Sequence, residues 1–174
     1  MRILYSFPHA LGAPGIGTTA VNQVLGLHER GNDVSVIAAS IHKNSTFPEA
    51  KVTRTMVFGG VRIPHKILGM DRTMAFHDQR VAAYLKAHAA EFDVVHCWPG
   101  ASRHTPKIAA AKGLSAVREV PNTHTGNAYE VVAQLCRDLE IELPRNHSHR
   151  MNTARLEREE REYEVTQRLL VPSD

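Results

Sequence analysis

The chain has 174 residues, of which 43% are hydrophobic, 22% charged and 6% aromatic, and its formal net charge is +3. This length and composition are typical of one globular domain with a substantial core, and they exclude collagen-like and low-complexity chains. No apolar run approaches the roughly 18 residues of a membrane span, and the two cysteines lack the pairing expected of a disulfide framework. We therefore expect a cytoplasmic protein, for which the mild positive charge permits an anionic ligand and gives no reason to expect nucleic acid.

Five segments show the apolar spacing of three to four residues that is typical of amphipathic helices. Thr18 is a candidate cap for the first of them, Gly31 follows it, and Pro106 stands in the first turn of the third. The predicted helices cover residues 18–30, 71–88, 105–113, 127–139 and 152–166.

Short apolar runs rich in β-branched residues alternate with these helices and predict strands. Strands separated by helices indicate an α/β fold, namely a single Rossmann-like three-layer domain over residues 1–174 with a mainly parallel sheet flanked by helices. In such folds a ligand binds beyond the carboxyl ends of the strands, which here are followed by residues 8–19, 40–45, 98–103 and 121–127. The predicted strands are residues 3–7, 34–39, 51–58, 92–98, 116–120 and 168–171.

A glycine-rich loop, residues 8–20 (PHALGAPGIGTTA), joins the first predicted strand to the first helix. Its amides and the helix N-terminus suit a phosphate or a sugar, although a flexible turn would also explain the glycines. The loop has the glycine spacing of a P-loop, but Thr18 stands where that motif has a lysine, so a P-loop is a poor interpretation. A dinucleotide fingerprint fits Gly15, Gly17 and Ala20 as a string, but it begins about eight residues past the predicted strand, and no acidic residue ends the second strand.

Histidines follow two of the predicted strands. His96 ends one strand and His124 follows the next, so both are expected at the mouth of the sheet, where His9 in the glycine loop could join them. Each of these histidines could instead be satisfied by backbone groups, and Trp98, which could stack on a sugar ring, could instead be a packing residue. We expect no metal site, because His147 and His149 lack an obvious third ligand.

The last predicted helix is rich in alternating charges, which are mostly expected to face solvent. Glu160 lies between Leu156 and Tyr163 on the apolar stripe of that helix. We therefore expect Glu160 to be buried with a partner.

Four stretches together resemble the family-four retaining glycosyltransferases of the GT-B architecture. The first strand, the glycine-rich loop and the first helix, followed by residues 31–37 (GNDVSVI), look like the opening of these enzymes, and residues 93–96 (DVVH) resemble one of their strands. Residues 117–124 (VREVPNTH) resemble a strand followed by the cleft histidine of that family, and residues 159–173 (EEREYEVTQRLLVPS) resemble the ending of its N-terminal domain. The resemblance covers nearly the whole chain in the same order.

This resemblance implies the acceptor-binding half of an enzyme that moves a sugar from a nucleotide-sugar donor to an acceptor with retention of configuration. The donor would be held by a second domain that these 174 residues do not contain, so we expect little activity from them alone. It implies a catalytic role for His124 and no metal or other cofactor. The substrate-binding residues that we expect are His9, Gly15, Ile16, Gly17, Thr18, His96, Trp98, Asn122 and Thr123.

Two further interpretations stay open at this stage. The chain could be a free-standing α/β module that binds a nucleotide or a partner and catalyses nothing. The acceptor could be a sugar, a lipid or another small molecule, and a basic and apolar patch between Arg62 and Arg72 could reach a lipid at an anionic membrane surface, although a plain loop also explains that patch.

Overall fold

A computed structural model of the chain describes residues 1–45, 47–48, 52–63 and 69–171. Its main feature is a six-stranded sheet with the strand order β3-β2-β1-β6-β7-β8, in which every neighbouring pair is parallel. A short antiparallel hairpin of β4 and β5 stands beside it. The strands are β1 (Arg2–Leu11), β2 (Asp33–Ile41), β3 (Val52–Arg54), β4 (Val57–Phe58), β5 (Val61–Arg62), β6 (Val94–Cys97), β7 (Ser115–Glu119) and β8 (Arg168–Leu170).

Helices join β1 to β2, β5 to β6, β6 to β7 and β7 to β8, in agreement with the alternating sequence pattern. The predicted α/β class and the Rossmann-like parallel sheet are confirmed. The helices that the structure describes are α1 (Ile16–Glu29), α2 (Met70–His88), α3 (Thr105–Ala111), α4 (Thr125–Asp138) and α5 (Thr153–Glu164), and a single 3-10 turn covers Ala89–Glu91.

Two apolar clusters cover the two faces of the sheet, because alternate residues of each strand point to opposite sides. One cluster joins Tyr5 and Phe7 of β1 to Val24 of α1. The other joins Leu4 of the same strand to Leu85 of α2 and to further residues of α2 and α3. The sheet is therefore the middle of three layers.

Two predicted element boundaries are wrong. The predicted strand 51–58 is divided into β3 and β4, and Gly59 and Gly60, at φ +55° and +81°, form the turn of the hairpin that β4 makes with β5. Met56 is buried as expected, whereas Phe58 is 44% exposed. The first strand runs on to Leu11, and α1 begins at Ile16, two residues before the predicted cap.

Helix α4 presents its apolar stripe to solvent. Val131, Leu135 and Leu139, which the spacing predicts for one face, are more than half exposed, whereas Tyr129 in the first turn is buried. The sequence thus identifies the stripe, but the structure leaves it outside the core.

The strand order places a topological switch between β1 and β6. The chain moves outward from β1 to β3 on one side, then returns to β6 and continues through β8 on the other. The loops that leave β1 and β6 therefore diverge, and a crevice opens between them at the carboxyl ends of the strands. This crevice is the natural place to look for a ligand site.

Candidate functional site

A cleft of about 430 Å³ lies at this switch point, and we call it the central cleft. Its base is formed by the ends of β6 and β7, and its walls come from the starts of α1 and α2 and from α5. The loops that leave β1, β6 and β7 meet here, as the sequence predicts. The lining residues are His9, Ile16, Met70, Asp71, Met74, Trp98, Pro99, Gly100, Arg118, Pro121, Asn122, Thr125, Arg155, Arg158, Glu159 and Glu162.

A second cleft of about 290 Å³, the glycine-loop cleft, lies between the loop after β1 and the end of β2. Gly17 and Ser40 line it from these two sides. It shares His9, Ile16 and Met70 with the central cleft, so the two clefts adjoin. Of the predicted site residues of the glycine loop, His9, Ile16 and Gly17 therefore line a continuous groove, whereas Gly15 and Thr18 are exposed and are not among its lining residues.

The glycines of this loop have distinct structural tasks. Gly15 has φ +81° at the N-terminus of α1, a conformation that L-residues rarely adopt. Gly17 lies in the first turn, where an added Cβ would stand 2.6 Å from the carbonyl oxygen of Ala10. Only glycine therefore lets α1 pack this closely against β1.

Thr18 does not cap α1, contrary to the prediction. It lies inside the first turn, its side chain is exposed, and its hydroxyl donates a 3.3 Å hydrogen bond to the carbonyl of Ala13. Because β1 extends to Leu11, the dinucleotide fingerprint begins four residues after the strand rather than eight. The second argument against a dinucleotide stands, since residues 38–42 at the end of β2 contain no acid.

A buried ion pair forms part of the central cleft. Nη2 of Arg118, on β7, donates to Oε2 of Glu162, on α5, at 3.0 Å, and the guanidinium carbon lies 4.3 Å from the ring centroid of Tyr163. Glu162 also accepts backbone N–H groups from Gly100 at 3.0 Å and from Ser102 at 3.3 Å. One carboxylate thus fixes the loop after β6, strand β7 and helix α5 relative to one another.

The predicted buried carboxylate of the last helix is assigned to the wrong residue. Glu160 is exposed, and Glu162 is the residue buried with a cationic partner. Leu156 and Tyr163 are partly buried, but the inner face of this helix extends from them toward Glu159 and Glu162 and leaves Glu160 outside. The spacing of Glu159 and Glu162 in the E-x-x-E-Y motif could have identified these two glutamates as candidate site residues. Both of them line the central cleft.

His124 stands at the N-terminus of α4 and lines an open depression next to the central cleft. Its Nδ1 accepts a hydrogen bond from the backbone N–H of Gly126 at 3.2 Å, so the proton of the neutral ring is on Nε2. Nε2 lies 3.9 Å from Oε2 of Glu159, and the side chain is 40% exposed. The free edge of His124 is therefore a hydrogen-bond donor that a ligand can reach. Asn122 and Thr123 are exposed and line the same depression, and Asn122 also lines the central cleft.

His96 lies beneath the site rather than at its mouth. Its Nε2 is 3.0 Å from Oε2 of Glu119, and the residue is 7% exposed. The other carboxylate oxygen of Glu119 accepts from Gln23, whose amide oxygen accepts from the Tyr5 hydroxyl at 2.6 Å. His96 is not among the described residues that line the central cleft, the glycine-loop cleft or the depression beside His124.

Trp98 is a buried packing residue that also reaches the wall of the central cleft. Its indole N–H donates to the Tyr5 hydroxyl at 2.7 Å, and its ring packs edge-on against Phe7. It is 2% exposed, yet it contributes to the wall of the central cleft. Burial raises the pKa of Tyr5 far above its ordinary range, so this phenol stays a neutral part of the network.

Sequence reasoning missed two polar residues of α2. His77 is completely buried, with Nε2 3.1 Å from the Ser6 hydroxyl and Nδ1 2.7 Å from that of Thr55. Burial, and secondarily the charge of His9, lowers its pKa to about 3. The neighbouring Asp78 accepts backbone N–H groups of residues 103–105 and caps α3. Isolated polar residues on a helix carry no sequence signal for such roles.

The middle of the basic and apolar patch proposed for a membrane surface, residues 64–68, lies outside the described residues. Within the described ranges, no helix has the length and apolarity that crossing a bilayer requires. The residues that the structure describes contain no cluster of three or more potential metal ligands.

Comparisons with known proteins support the fold. Neither a family model nor a curated protein matches the sequence significantly. The chain is similar to UGT2 of Phytolacca americana, solved with UDP-2-fluoro-glucose and pterostilbene, with a TM-score of 0.58 and 13% identity over 99% of this chain and 48% of that one. It is also similar to UGT89C1 of Arabidopsis thaliana, solved with UDP, with a TM-score of 0.53 and 14% identity over 99% of this chain and 44% of that one.

The chain spans about half the length of these two structures. At such low identity the likeness concerns the fold and not the substrate. Together with the six-stranded parallel sheet, it establishes that this chain has the Rossmann-like fold of a GT-B glycosyltransferase domain.

Proposed function

We propose that this chain is the acceptor-binding domain of a glycosyltransferase that moves a sugar from a nucleotide-sugar donor to an acceptor. The observation that carries the proposal is the central cleft at the β1–β6 switch point. The glycine loop, the loop before His124 and the E-x-x-E-Y helix, three of the elements that resemble family-four enzymes, converge there. The UDP-sugar and acceptor in the Phytolacca structure, and the UDP in the Arabidopsis structure, are consistent with these ligands.

The donor would lie across the mouth of the cleft and be held mainly by a second domain. The start of α1 supports this arrangement, because Gly15 and Ile16 are exposed at a helix N-terminus, where the dipole favours a phosphate. Holding both substrates in one cleft supplies the proximity that glycosyl transfer needs. The 174 residues alone would therefore have little transferase activity.

The free Nε2–H of His124 would donate a hydrogen bond to a hydroxyl oxygen of the acceptor or of the transferred sugar. Because Nδ1 accepts from Gly126, the ring is oriented before a substrate arrives. This geometry favours binding and positioning by His124 over proton abstraction. We also propose retention of configuration, since the sequence motifs resemble those of retaining enzymes, in which the departing phosphate helps to deprotonate the acceptor.

A transferase assay on the natural gene product that contains these residues tests the proposal. UDP release from UDP-glucose and other nucleotide sugars is measured with sugar, lipid and phenolic acceptors, and NMR coupling constants give the anomeric configuration of the product. His124→Ala is expected to lower kcat/KM by about tenfold. Glu160→Gln on the exposed side of α5 is the control and should leave kcat/KM unchanged.

Three results would contradict the proposal. One is the absence of transfer from every nucleotide sugar. Another is full activity of His124→Ala, which would remove that residue from the site. The third is a product of inverted configuration, which would refute retention while leaving glycosyl transfer intact.

A further inference from the structure

A third cleft, which we call the outer cleft, adjoins the central cleft beyond the end of β7 and has a volume of about 520 Å³. The two clefts share seven lining residues, among them Arg118, Asn122, Arg155 and Glu159. The far wall comes from the first turns of α4 and from the connection between α4 and α5, through Ala128, Tyr129, Ser148 and His149.

Two residues that line this cleft, Arg118 and Tyr129, each have one buried donor atom without a hydrogen-bond partner among the described residues. The Nε and Nη2 atoms of Arg118 donate to Glu162 and Ser102, but Nη1 has no acceptor. The hydroxyl of Tyr129, a residue that is 3% exposed, also has no partner. A buried donor without an acceptor is costly and rare in folded proteins, so two on one cleft point to a ligand that supplies acceptors.

The charges around the outer cleft favour a neutral ligand over an anion. Glu162 forms an ion pair with Arg118, and Arg155 and Glu159, which both line the cleft, carry opposite charges. A phosphate or carboxylate would therefore gain little net attraction from these groups.

The remaining lining residues of the outer cleft provide both apolar and polar surface. Pro99, Val120 and Pro121 provide apolar surface, whereas Asn122, Thr123 and Ser148 can both donate and accept hydrogen bonds. A ring with C–H faces and several hydroxyl groups complements such a lining.

We propose that the outer cleft binds a pyranose or a similar cyclic polyol, with Arg118 Nη1 and the Tyr129 hydroxyl donating to its oxygen atoms. The inference rests on the proposed function, because the bound ring would be the acceptor or its reducing-side sugar. It specifies the acceptor class as a carbohydrate.

Binding of methyl α-D-glucopyranoside and methyl α-D-mannopyranoside to the 174-residue chain tests this proposal. Two-dimensional NMR of the labelled protein follows the Arg118 side chain and the backbone amides around Tyr129 during the titration. We expect saturable shifts at these groups. Tyr129→Phe should weaken binding about three- to tenfold, the loss of one neutral hydrogen bond.

The thermal unfolding midpoint of ligand-free Tyr129→Phe provides the second readout. If the hydroxyl has no partner in the free protein, its removal leaves the midpoint unchanged or raises it. Tyr84→Phe, on α2 beside His88 and outside the lining of the outer cleft, is the matched control and should change neither binding nor the midpoint. Arg118→Lys, which keeps the positive charge beside Glu162, should weaken binding while the chain stays folded.

Four results would overturn the inference. They are no saturable shift with either glycoside, shifts confined to other regions, unchanged affinity of Tyr129→Phe, and a lowered midpoint of that variant. Inorganic phosphate is titrated in parallel, and binding of phosphate in place of the glycosides would establish an anion site instead. None of these outcomes affects the transferase assay, so the outer-cleft proposal and the proposed function can fail separately.

Discussion

Arg118 and Glu162 lie 44 residues apart in the sequence, and they form an ion pair with an Nη2–Oε2 distance of 3.0 Å and side chains that are 1% and 2% exposed. The same carboxylate accepts the backbone N–H groups of Gly100 and Ser102. Three elements that bound the central cleft therefore depend on one buried charge pair. Such a pair adds little net stability compared with apolar residues, but it is costly to break from one side.

Replacement of Glu162 should accordingly be strongly destabilising. In Glu162→Gln the guanidinium of Arg118 stays buried without its counter-charge, and we expect the free energy of unfolding to fall by about 3–5 kcal/mol. Urea denaturation measures this change. Glu160→Gln on the same helix is exposed and should change the stability by less than about 0.5 kcal/mol. Equal effects of the two variants would show that the buried pair does not hold these elements together.

Alanine at two glycines of α1 should have opposite effects. The Cβ of Gly17→Ala would meet the Ala10 carbonyl oxygen at 2.6 Å, so α1 must move away from β1 at a cost of about 1–3 kcal/mol. Gly26 has nothing within 4 Å of an added Cβ, and Gly26→Ala should stabilise the helix by about 0.5–1 kcal/mol. Thermal unfolding of both variants gives the comparison, and a neutral Gly17→Ala would contradict the packing role of this glycine.

His77 should make the stability depend on pH below neutrality. Its pKa is about 3 in the folded chain and about 6.5 when unfolded, so between these values the unfolded state binds one more proton. The contribution of His77 to the free energy of unfolding is therefore largest above pH 6.5 and falls as the pH drops toward 3. Between pH 7 and pH 5 we expect a loss of about 2 kcal/mol from His77 alone.

Urea denaturation at the two pH values isolates this contribution. In His77→Gln the difference between pH 7 and pH 5 should shrink by about the amount attributed to His77, whatever the effect of the substitution on absolute stability. His147→Gln, at an exposed position between α4 and α5, is the control and should keep the full pH dependence. An unchanged pH dependence in His77→Gln would mean that the buried ring is protonated as readily in the folded chain as in the unfolded one.

The two cysteines should differ sharply in reactivity. Cys97 is fully buried at the end of β6, where burial and the nearby carboxylates of Asp78 and Glu162 raise its pKa. Cys136 on α4 is partly exposed. With a disulfide reagent, one thiol per native chain should react rapidly and the second only after denaturation. Cys136→Ser should remove the rapid phase, and its persistence would show that Cys97 is accessible.

The sequence by itself determined that helices cover a parallel sheet, and it identified the end of the sheet at which a ligand would bind. Alternating apolar runs and amphipathic segments admit few arrangements other than a covered parallel sheet, and the loops after β1, β6 and β7 then necessarily meet. Local patterns suffice here because strand burial and helix amphipathicity are properties of neighbouring residues. The glycine loop, Asn122 and Thr123 were located in this way, and the structure places them along adjoining clefts.

Only the tertiary structure decided which polar side chains are buried and with what. Glu160 and Glu162 are close neighbours on one charged helix, and it is the approach of Arg118 from a distant strand that buries Glu162. His96 has the strand-end position of a ligand-binding histidine, yet Glu119 on the adjacent strand holds it inside. The physical reason is that the desolvation of a charged or polar group depends on partners brought together by the fold, and no local sequence pattern contains them.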